Sequence, residues 1–407
     1  MKTLISIPCL LTGGTEIQTL NTVRALVQGG HEVTVVCYFE HTPYMIGQFE
    51  EAGAKVILFS PDGNRLGGWR IVPFLYKNLR SVVKAVRPDI VHVQYMAPGA
   101  MVILLLWLMR VKNIIATVHT AADIYKDLRL IHFIQRHCVR AWICITERAE
   151  HSFFGSSQLY SKDMVLGKRN HFTIYNALPF RQQVNCDGSQ FNVAEQRLND
   201  TQSQGDDSPA TPLRLTSSSA AINRSEAAFT LGVVSRLEHI KGMDLVVPAF
   251  AEVRKRFPDV RLLVVGDGSL RAAMEQQAMA LGCDDAVTWV GRQPQGELSQ
   301  YYSRMDIVLM PSRSEGFGLT AIEAMAHGCV VVASDIGGLP EVVRDGVCGL
   351  LHRSEDVKDM AEKICSLIAS SELYRSLQKN ALQHVQKFSF QRYASAVCDL
   401  YERLIAT

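Results

Sequence analysis

Two glycines lie in a short polar segment between an apolar run and a helix-prone stretch, and this arrangement suits phosphate binding. The apolar run Asp306–Met310 predicts a strand, and the stretch that begins at Leu319 predicts a helix. Gly316 and Gly318 let the backbone between these elements come close to a ligand. The first N–H groups of a helix have no intrahelical partner and carry a partial positive charge, so a phosphate is the expected occupant.

Two glutamates stand on either side of this loop. Glu315 comes just before the helix, and Glu323 lies about 7.5 Å beyond Gly318 along the helix axis, at ~1.5 Å per residue. Carboxylates accept hydrogen bonds from sugar hydroxyls, so the pair suits a sugar attached to a phosphate. The alternative is that Glu315 stabilises the helix N-terminus electrostatically and Glu323 is a solvated helical residue. The residues alone leave both interpretations open.

Two cations follow another predicted strand, in the segment Ser-Arg-Leu-Glu-His-Ile-Lys-Gly that runs from Ser235 to Gly242. Arg236 offers a planar fork of donors and Lys241 a point charge, so one loop could neutralise a diphosphate. Surface cations are common, and solvated charge is the alternative.

Four further segments carry candidate residues at the ends of predicted strands. Gly14 belongs to a Gly-Gly turn that opens the first helix, and Gly266 to a Gly-Asp-Gly turn that lacks the third glycine of a dinucleotide fingerprint. Gly291 follows Trp289, for which a core position is the alternative. His119 ends a strand and so lies on the edge of the sheet where ligands bind, although a lone histidine is more often structural.

These motifs resemble those of the retaining nucleotide-sugar glycosyltransferases of glycosyltransferase family 4, which have the GT-B fold. The resemblance rests on Glu-x7-Glu with Gly-Phe-Gly inside, on Ser-Arg-Leu-x-x-x-Lys-Gly, on Gly-Asp-Gly-x-Leu and on Gly-Gly-x-Pro-Glu at 337–341. It covers nearly the whole chain apart from residues 181–227 and is densest over 229–351.

The resemblance implies a role for each candidate residue. Glu315 and His119 would lie beside the donor sugar, and Glu323 would bind the ribose. With Arg236 and Lys241 at the diphosphate, the implied catalytic set is Arg236, Lys241, Glu315 and His119. The implied donor-binding set is Gly14, Gly266, Gly291, Arg292, Gly316, Phe317, Gly318, Leu319 and Glu323. Family members commonly follow the histidine with Asp, whereas this chain has Thr120 there and reaches an acidic residue only at Asp123.

The resemblance therefore implies a retaining glycosyltransferase that moves a sugar from a nucleoside diphosphate sugar to a glycan or lipid-linked acceptor, in polysaccharide or glycolipid biosynthesis. It implies no cofactor and no metal, and the sequence contains no Asp-x-Asp cluster. Two alternatives stay open: a sugar-nucleotide epimerase with the same fold, and a catalytically silent glycosyltransferase-like subunit. The motifs do not specify the base, the sugar or the acceptor.

The elements that must position these residues alternate between apolar strands and helices in both halves of the chain. Continuous apolarity within the strands indicates parallel sheets buried on both faces, so an α/β, doubly wound architecture is predicted. We predict two Rossmann-like domains facing across a cleft, at 1–180 and 228–390. The polar stretch 181–227 is predicted to be a mostly disordered insertion, and 391–407 a helix that crosses back to the first domain.

The composition is ordinary for a globular protein, and 407 residues favour two domains. The ten cysteines form no Cys-x-x-Cys pair, which argues against a zinc site or a dense disulfide framework and favours a reducing cytosol. The apolar start of the chain is interpreted as the first strand rather than a signal peptide. We expect a cytoplasmic protein without a nucleic-acid partner.

The charge is distributed unevenly between the halves. Residues 1–181 hold 20 Lys and Arg against 12 Asp and Glu, whereas the remainder holds 22 against 28, so the balance is +8 in the first part and −6 in the second. In the segment 126–140, basic residues surround an apolar stripe at helical spacing that consists of Leu130, Phe133, Ile134 and His137. This predicts peripheral attachment to the inner face of an anionic membrane. The alternative is a helix whose stripe packs on the sheet.

Overall fold

The computed structural model describes residues 1–94, 99–122, 125, 127–165, 169–178 and 229–406. The predicted insertion 181–227 lies outside the described residues, as do Asp123 and Lys126. The described chain forms two parallel sheets, one of seven strands and one of six.

The first sheet has the strand order β3-β2-β1-β4-β5-β6-β7, and every neighbouring pair is parallel. Its strands are β1 (Lys2–Ile7), β2 (Glu32–Cys37), β3 (Lys55–Leu58), β4 (Ile90–Gln94), β5 (Ile114–Val118), β6 (Ala141–Cys144) and β7 (His171–Thr173). The helices along this part of the chain are α1 (Gly14–Gln28), α2 (Pro43–Glu51), α3 (Ile71–Val86), α4 (Gly99–Leu108), α5 (Arg129–His137) and α6 (Glu147–Phe154). The order reverses between β1 and β4, and ligands bind at such a point in doubly wound sheets.

The second sheet repeats this plan with the order β10-β9-β8-β11-β12-β13, again parallel throughout. Its strands are β8 (Thr230–Val234), β9 (Arg261–Val265), β10 (Val287–Gly291), β11 (Ile307–Met310), β12 (Val330–Ser334) and β13 (Leu350–His352). The helices between them are α7 (Val246–Arg256), α8 (Arg271–Ala280), α9 (Leu298–Tyr302), α10 (Leu319–Ala326) and α11 (Leu339–Val342). The predicted α/β class with two doubly wound parallel sheets is confirmed.

Three helices complete the described chain: α12 (Val357–Ala369), α13 (Ser371–His384) and α14 (Phe390–Ala406). The last of them packs on α1, because the Cys398 thiol donates to the Ala25 carbonyl at 3.4 Å and the hydroxyls of Thr22 and Tyr393 lie 2.7 Å apart. The chain therefore returns to the first domain after it has built the second.

Apolar side chains cover the sheets and also join the two domains. Ile145 and Leu178, which follow strands of the first sheet, belong to the same buried cluster as Phe317 and Phe388 of the second domain. This contact brings the carboxyl ends of the two sets of strands together.

Helix α4 contains the most apolar stretch that the sequence analysis considered for a membrane. Its ten residues bury Val102, Ile103, Leu105 and Leu106 against the first sheet. Among the residues that the structure describes, no helix has the length and apolar character needed to cross a bilayer.

Candidate active site

Candidate residues from the two domains meet where the two sheets face each other. Gly14 begins α1, and a Cβ added to it would lie 3.4 Å from the Leu319 side chain at the start of α10. Gly316 lies so close to the His119 carbonyl oxygen that an added Cβ would be 2.3 Å from it. The structure thus places Gly14 and His119 of the first domain directly against the loop 316–319, which we call the donor loop after the role that the sequence predicts for it.

The donor loop needs glycine for its backbone and for its packing. Gly318 precedes α10 with a φ of 98°, in the left-handed region that favours glycine. Phe317 turns its ring inward, with ring centroids 5.5 Å from Phe388 and 6.2 Å from Tyr175. Its side chain is 2% exposed, so only its backbone can face the cleft.

Lys241 and Glu315 form an ion pair beside the donor loop. The Lys241 ammonium lies 2.6 Å from a Glu315 carboxylate oxygen, and the Ser312 hydroxyl lies 3.5 Å from the same oxygen. The turn that carries Lys241 packs tightly on the loop that follows β11. A Cβ added to Gly242 would lie only 1.9 Å from the Pro311 carbonyl oxygen. The ion pair orients the Lys241 ammonium, so Lys241 is not a freely solvated surface lysine.

Arg236 is exposed and lies near the first domain's Glu16. Burial raises the pKa of Glu16, while its own backbone amide, the Cys9 thiol and the charge of Arg236 oppose the shift. An Arg236 fork is therefore available at the cleft, with a buried carboxyl opposite it.

Glu323 is a buried carboxyl group and not a solvated helical residue, which removes one alternative from the sequence analysis. It is 4% exposed, and its two oxygens accept hydrogen bonds of 2.8 Å from the Gln295 amide and the Tyr302 hydroxyl. Burial raises the pKa of Glu323 to about 7, although both hydrogen bonds oppose the shift. No sequence signal pointed to Gln295 or Tyr302, since neither belongs to a motif.

His119 is held by a chain of buried polar groups that the sequence analysis missed. Its Nε2 lies 2.9 Å from the Gln94 side-chain oxygen, and because an amide oxygen only accepts, this nitrogen carries the proton. Burial lowers the pKa of His119 to about 3, so the ring is neutral at physiological pH. The Gln94 side-chain nitrogen lies 3.4 Å from the Nε2 of His92. The Nδ1 of His92 in turn lies 2.6 Å from the Tyr401 hydroxyl of α14.

A small cavity of about 10 Å³ lies beneath His119, which is room for one water molecule. Polar side chains from α1, β4, α14 and the segment after β7 line it: Gln18, Thr22, Gln94, Asn176 and Tyr393.

The remaining glycine turns form one layer behind the cations. The Gly266 amide donates to the Gly291 carbonyl at 2.9 Å, and a Cβ on Gly266 would lie 1.8 Å from the Ser235 carbonyl oxygen. Gly266 is therefore required for packing, as the turn interpretation expected. Arg292 is exposed at the end of this layer, and Trp289 is half-buried beneath the Arg271 guanidinium at 4.8 Å.

A metal-binding cluster of three or more His, Cys, Asp or Glu side chains does not occur within the described ranges.

Solved structures with a similar fold cover nearly the whole chain. The crystal structure of Anabaena HepE in complex with UDP has a TM-score of 0.72 at 18% identity, over 99% of this chain and 100% of that one. Sucrose-phosphate synthase from Thermosynechococcus elongatus has a TM-score of 0.71 at 21% identity, over the full length of both chains. At these identities the likeness concerns the fold, and with the two facing sheets it defines a protein of the GT-B class.

The family comparisons narrow this class. Residues 12–154 match the family described as Glycosyltransferase Family 4, and residues 217–384 match Glycosyl transferases group 1. The first domain thus resembles glycosyltransferase family 4 and the second resembles the group 1 glycosyl transferases.

Two curated relatives are D-inositol 3-phosphate glycosyltransferases. The protein from Segniliparus rotundus is 40% identical over 172 residues, which are 41% of this chain and 38% of that protein. The protein from Nocardia farcinica is 37% identical over 175 residues, which are 41% of this chain and 39% of that protein. The chain thus spans about two fifths of the length of these relatives.

Proposed function

We propose that this glycosyltransferase moves a sugar from a nucleoside diphosphate sugar to an acceptor hydroxyl with retention of the anomeric configuration. The observation that carries the proposal is the Lys241–Glu315 pair of 2.6 Å beside a glycine loop that opens a helix. A diphosphate bound there meets an oriented ammonium group, the Arg236 guanidinium and free helix N–H groups.

The catalytic task in this proposal is to stabilise the leaving diphosphate. Negative charge grows on the diphosphate as its bond to the anomeric carbon breaks, and Lys241, Arg236 and the donor-loop amides offset it. The acceptor oxygen bonds to the same face of the anomeric carbon, and its proton passes to the departing phosphate oxygen. We assign no protein nucleophile, no cofactor and no metal ion to this step.

His119 and Glu323 would fix the rest of the donor. A neutral His119 ring beside Gly316 suits hydrogen bonding to a sugar hydroxyl. The Glu323 oxygens each retain a lone pair for a ribose hydroxyl, because each accepts one protein hydrogen bond in the structure. Uridine is the first base to test, since Anabaena HepE was crystallised with UDP and with UDP-glucose.

The proposed acceptor is a hydroxyl of a glycan or of a lipid-linked sugar. The names of the curated relatives add a phosphorylated cyclitol, inositol 3-phosphate, to the acceptors that should be tested. A sugar-nucleotide epimerase and a catalytically silent subunit are the competing functions.

Product analysis separates these functions. Purified protein is first screened by thermal shift with UDP, GDP and ADP, because a ligand that binds the native state raises Tm. The donor that corresponds to the stabilising nucleotide is then incubated with each acceptor, and products are read by mass spectrometry and by the anomeric proton coupling in NMR. A glycoside with the donor's anomeric configuration is expected. An inverted glycoside contradicts retention, free epimerised sugar identifies an epimerase, and an unchanged donor identifies a silent subunit.

We also propose that the first domain attaches to anionic membrane through α4 and α5. Helix α5 buries Ile131 and Ile134 but leaves Leu130 and Phe133 exposed, so its stripe is divided between the sheet and the surface. The exposed part joins apolar side chains of α4 to form what we call the α4–α5 patch: Met101, Trp107, Leu108, Leu130 and Phe133. Exposed basic residues lie on α5 or just after α4: Arg110, Lys112, Arg129 and Arg136. An apolar patch with basic neighbours in the sequence suits the headgroup region of anionic lipid.

A further inference from the structure

The segment Gly337–Glu341 reaches across the cleft to the first domain. The two Glu341 carboxylate oxygens accept hydrogen bonds from the backbone amides of Glu147 at 2.8 Å and Arg148 at 2.5 Å. Both amides belong to the first turn of α6, where backbone N–H groups have no partner within the helix. An anion of the second domain therefore satisfies two unpaired donors of the first.

No side chain of α6 or of its N-cap residue Thr146 accepts a described hydrogen bond from these two amides; Glu341 does. Thr146 caps this helix by accepting from the Ala149 amide at 3.1 Å, which leaves the amides of Glu147 and Arg148 for another acceptor. The Glu147 carboxylate accepts instead from the Tyr175 hydroxyl at 2.9 Å. Charged acceptors at helix N-termini form strong hydrogen bonds, and the helix dipole adds to them.

The other end of the segment lies against the donor loop. The Gly338 amide donates to the Glu315 carbonyl at 3.1 Å. A Cβ at Gly337 would lie 2.0 Å from the Glu315 carbonyl oxygen, and one at Gly338 would lie 2.3 Å from the Gly316 carbonyl oxygen. Gly338 also approaches the first domain, since the same added Cβ would be 2.8 Å from the Thr146 side chain. The segment is therefore clamped between the donor loop and α6.

We propose that Glu341 is a positioning residue: by binding the N-terminus of α6 it holds Gly337 and Gly338 against Glu315 and Gly316, and so fixes the donor loop when the domains are together. The proposal rests on the proposed function only in calling this loop the donor site. It makes donor affinity depend on a carboxylate that never touches the donor.

Amide hydrogen exchange tests the contact directly. In Glu341→Ala the amides of Glu147 and Arg148 lose the acceptor that they have in the described part of the chain, and their exchange should become at least about tenfold faster. The Ala149 amide, which Thr146 caps, should keep its wild-type rate and serves as the internal control. Exchange resolved to single residues by mass spectrometry with electron-transfer fragmentation gives these rates.

The positioning role is tested on the donor loop itself. Exchange at Gly316 and Gly318 should become faster in Glu341→Ala, and the affinity for UDP, measured by calorimetry, should fall about tenfold. Glu362→Ala is the matched control, because it removes the same charge from an exposed ion pair with Arg256 inside the second domain. Glu341→Gln replaces the alanine variant if the latter does not fold, since its amide keeps one acceptor oxygen but turns an NH2 group toward a backbone donor.

Two results would overturn the proposal. Wild-type exchange at Glu147 and Arg148 would mean that the contact does not form in solution. Faster exchange at those amides with unchanged exchange in the donor loop would mean that Glu341 caps α6 but does not position the donor loop. A wild-type protein that binds none of UDP, GDP and ADP contradicts the proposed function instead, and the exchange rates of the loop still decide the role of Glu341.

Discussion

At the scale of single residues, three ionisable groups of the site have well-defined states. Burial keeps His119 neutral, pairing with Glu315 orients Lys241, and burial raises the pKa of Glu323 to about 7. Burial and hydrogen-bond partners determine these states, and a different measurement tests each of them. The role of Glu323 is tested by the pH dependence of stability and binding, and the roles of Arg236 and Lys241 are tested by turnover.

The pKa of Glu323 predicts a pH effect on stability with a definite sign. Between pH 4.5 and about 7 the folded state keeps a proton that the unfolded state has released, so the free energy of unfolding should fall as pH rises through this window. Glu323→Gln carries no such proton and should show a flatter profile. Urea unfolding at pH 5 and pH 8 measures both. Equal pH profiles for the two proteins would contradict the raised pKa.

Nucleotide binding should show the opposite pH trend. In the proposed function a ribose hydroxyl donates to the ionised carboxylate of Glu323, so UDP affinity should increase as pH rises through about 7 in the wild type and lose this dependence in Glu323→Gln. Calorimetric titration at pH 6 and pH 8 provides the comparison. An unchanged trend in the variant would place the ribose elsewhere.

Arg236 and Lys241 should affect turnover more than donor affinity. In the proposed reaction both cations meet charge that grows in the transition state, so Arg236→Ala or Lys241→Ala should lower kcat on the order of 10²-fold. Lys255→Ala is the control, because Lys255 forms an exposed ion pair with Glu252. Steady-state kinetics with the donor found in the screen gives kcat and KM separately. Wild-type turnover in both cation variants would remove these residues from the reaction.

At the scale of elements, the site is a contact between strand ends and helix starts of two domains. The loop after β11 leads into α10, and the end of β5 brings the His119 carbonyl against it. Because Gly316 lies against the backbone of the first domain, even a small side chain added there would displace one of the two elements. A substitution at one of these close backbone contacts should therefore shift the donor loop.

Gly316→Ala tests this contact. Its new Cβ would lie 2.3 Å from the His119 carbonyl oxygen, so the domains must separate or the loop must shift by about 1 Å. A displacement of this size should lower kcat/KM on the order of 10²-fold. Gly296→Ala has nothing within 4 Å of its added Cβ and serves as the control. Near-equal activities of the two variants would show that the closed contact is not needed.

At the scale of the whole molecule, charge and apolar exposure coincide on one face of the first domain. The basic part of the chain, residues 1–181, contains the α4–α5 patch, where Trp107 and Phe133 lie edge to face with ring centroids 6.2 Å apart. The second part is acidic and would be repelled by anionic lipid. This asymmetry would orient the molecule on such a surface.

Vesicle co-sedimentation tests the attachment. Each basic residue near an anionic surface contributes about 1 kcal/mol, so the double variant Arg129→Gln, Arg136→Gln should bind phosphatidylserine vesicles about thirtyfold more weakly at low salt. Leu130→Ser with Phe133→Ser should also weaken binding, whereas Met279→Ser with Leu281→Ser, on exposed residues of the second domain, should not. Binding that ignores salt and lipid charge, or no binding by the wild type, excludes the attachment.

The sequence by itself determined the sheets and their turns. Buried parallel strands appear in the sequence as continuous apolar runs. The strand predicted at Asp306–Met310 and the helix predicted from Leu319 agree with β11 and α10 almost to the residue. Glycines such as Gly318 mark turns because the required backbone conformation is set by the residue itself. The three-residue β13 was not predicted, because so short a run has too few residues to show a period.

Only the tertiary structure decided the partners of the site residues. Glu323 is buried by Tyr302 and Gln295, His119 is paired with Gln94, and Glu341 reaches Glu147 across 194 positions of sequence. These pairings could not be inferred from local pattern, since a side chain's type and spacing do not say which distant element will pack against it. The packing of two domains around one cleft sets these distances, and through burial it sets the protonation states on which the chemistry depends.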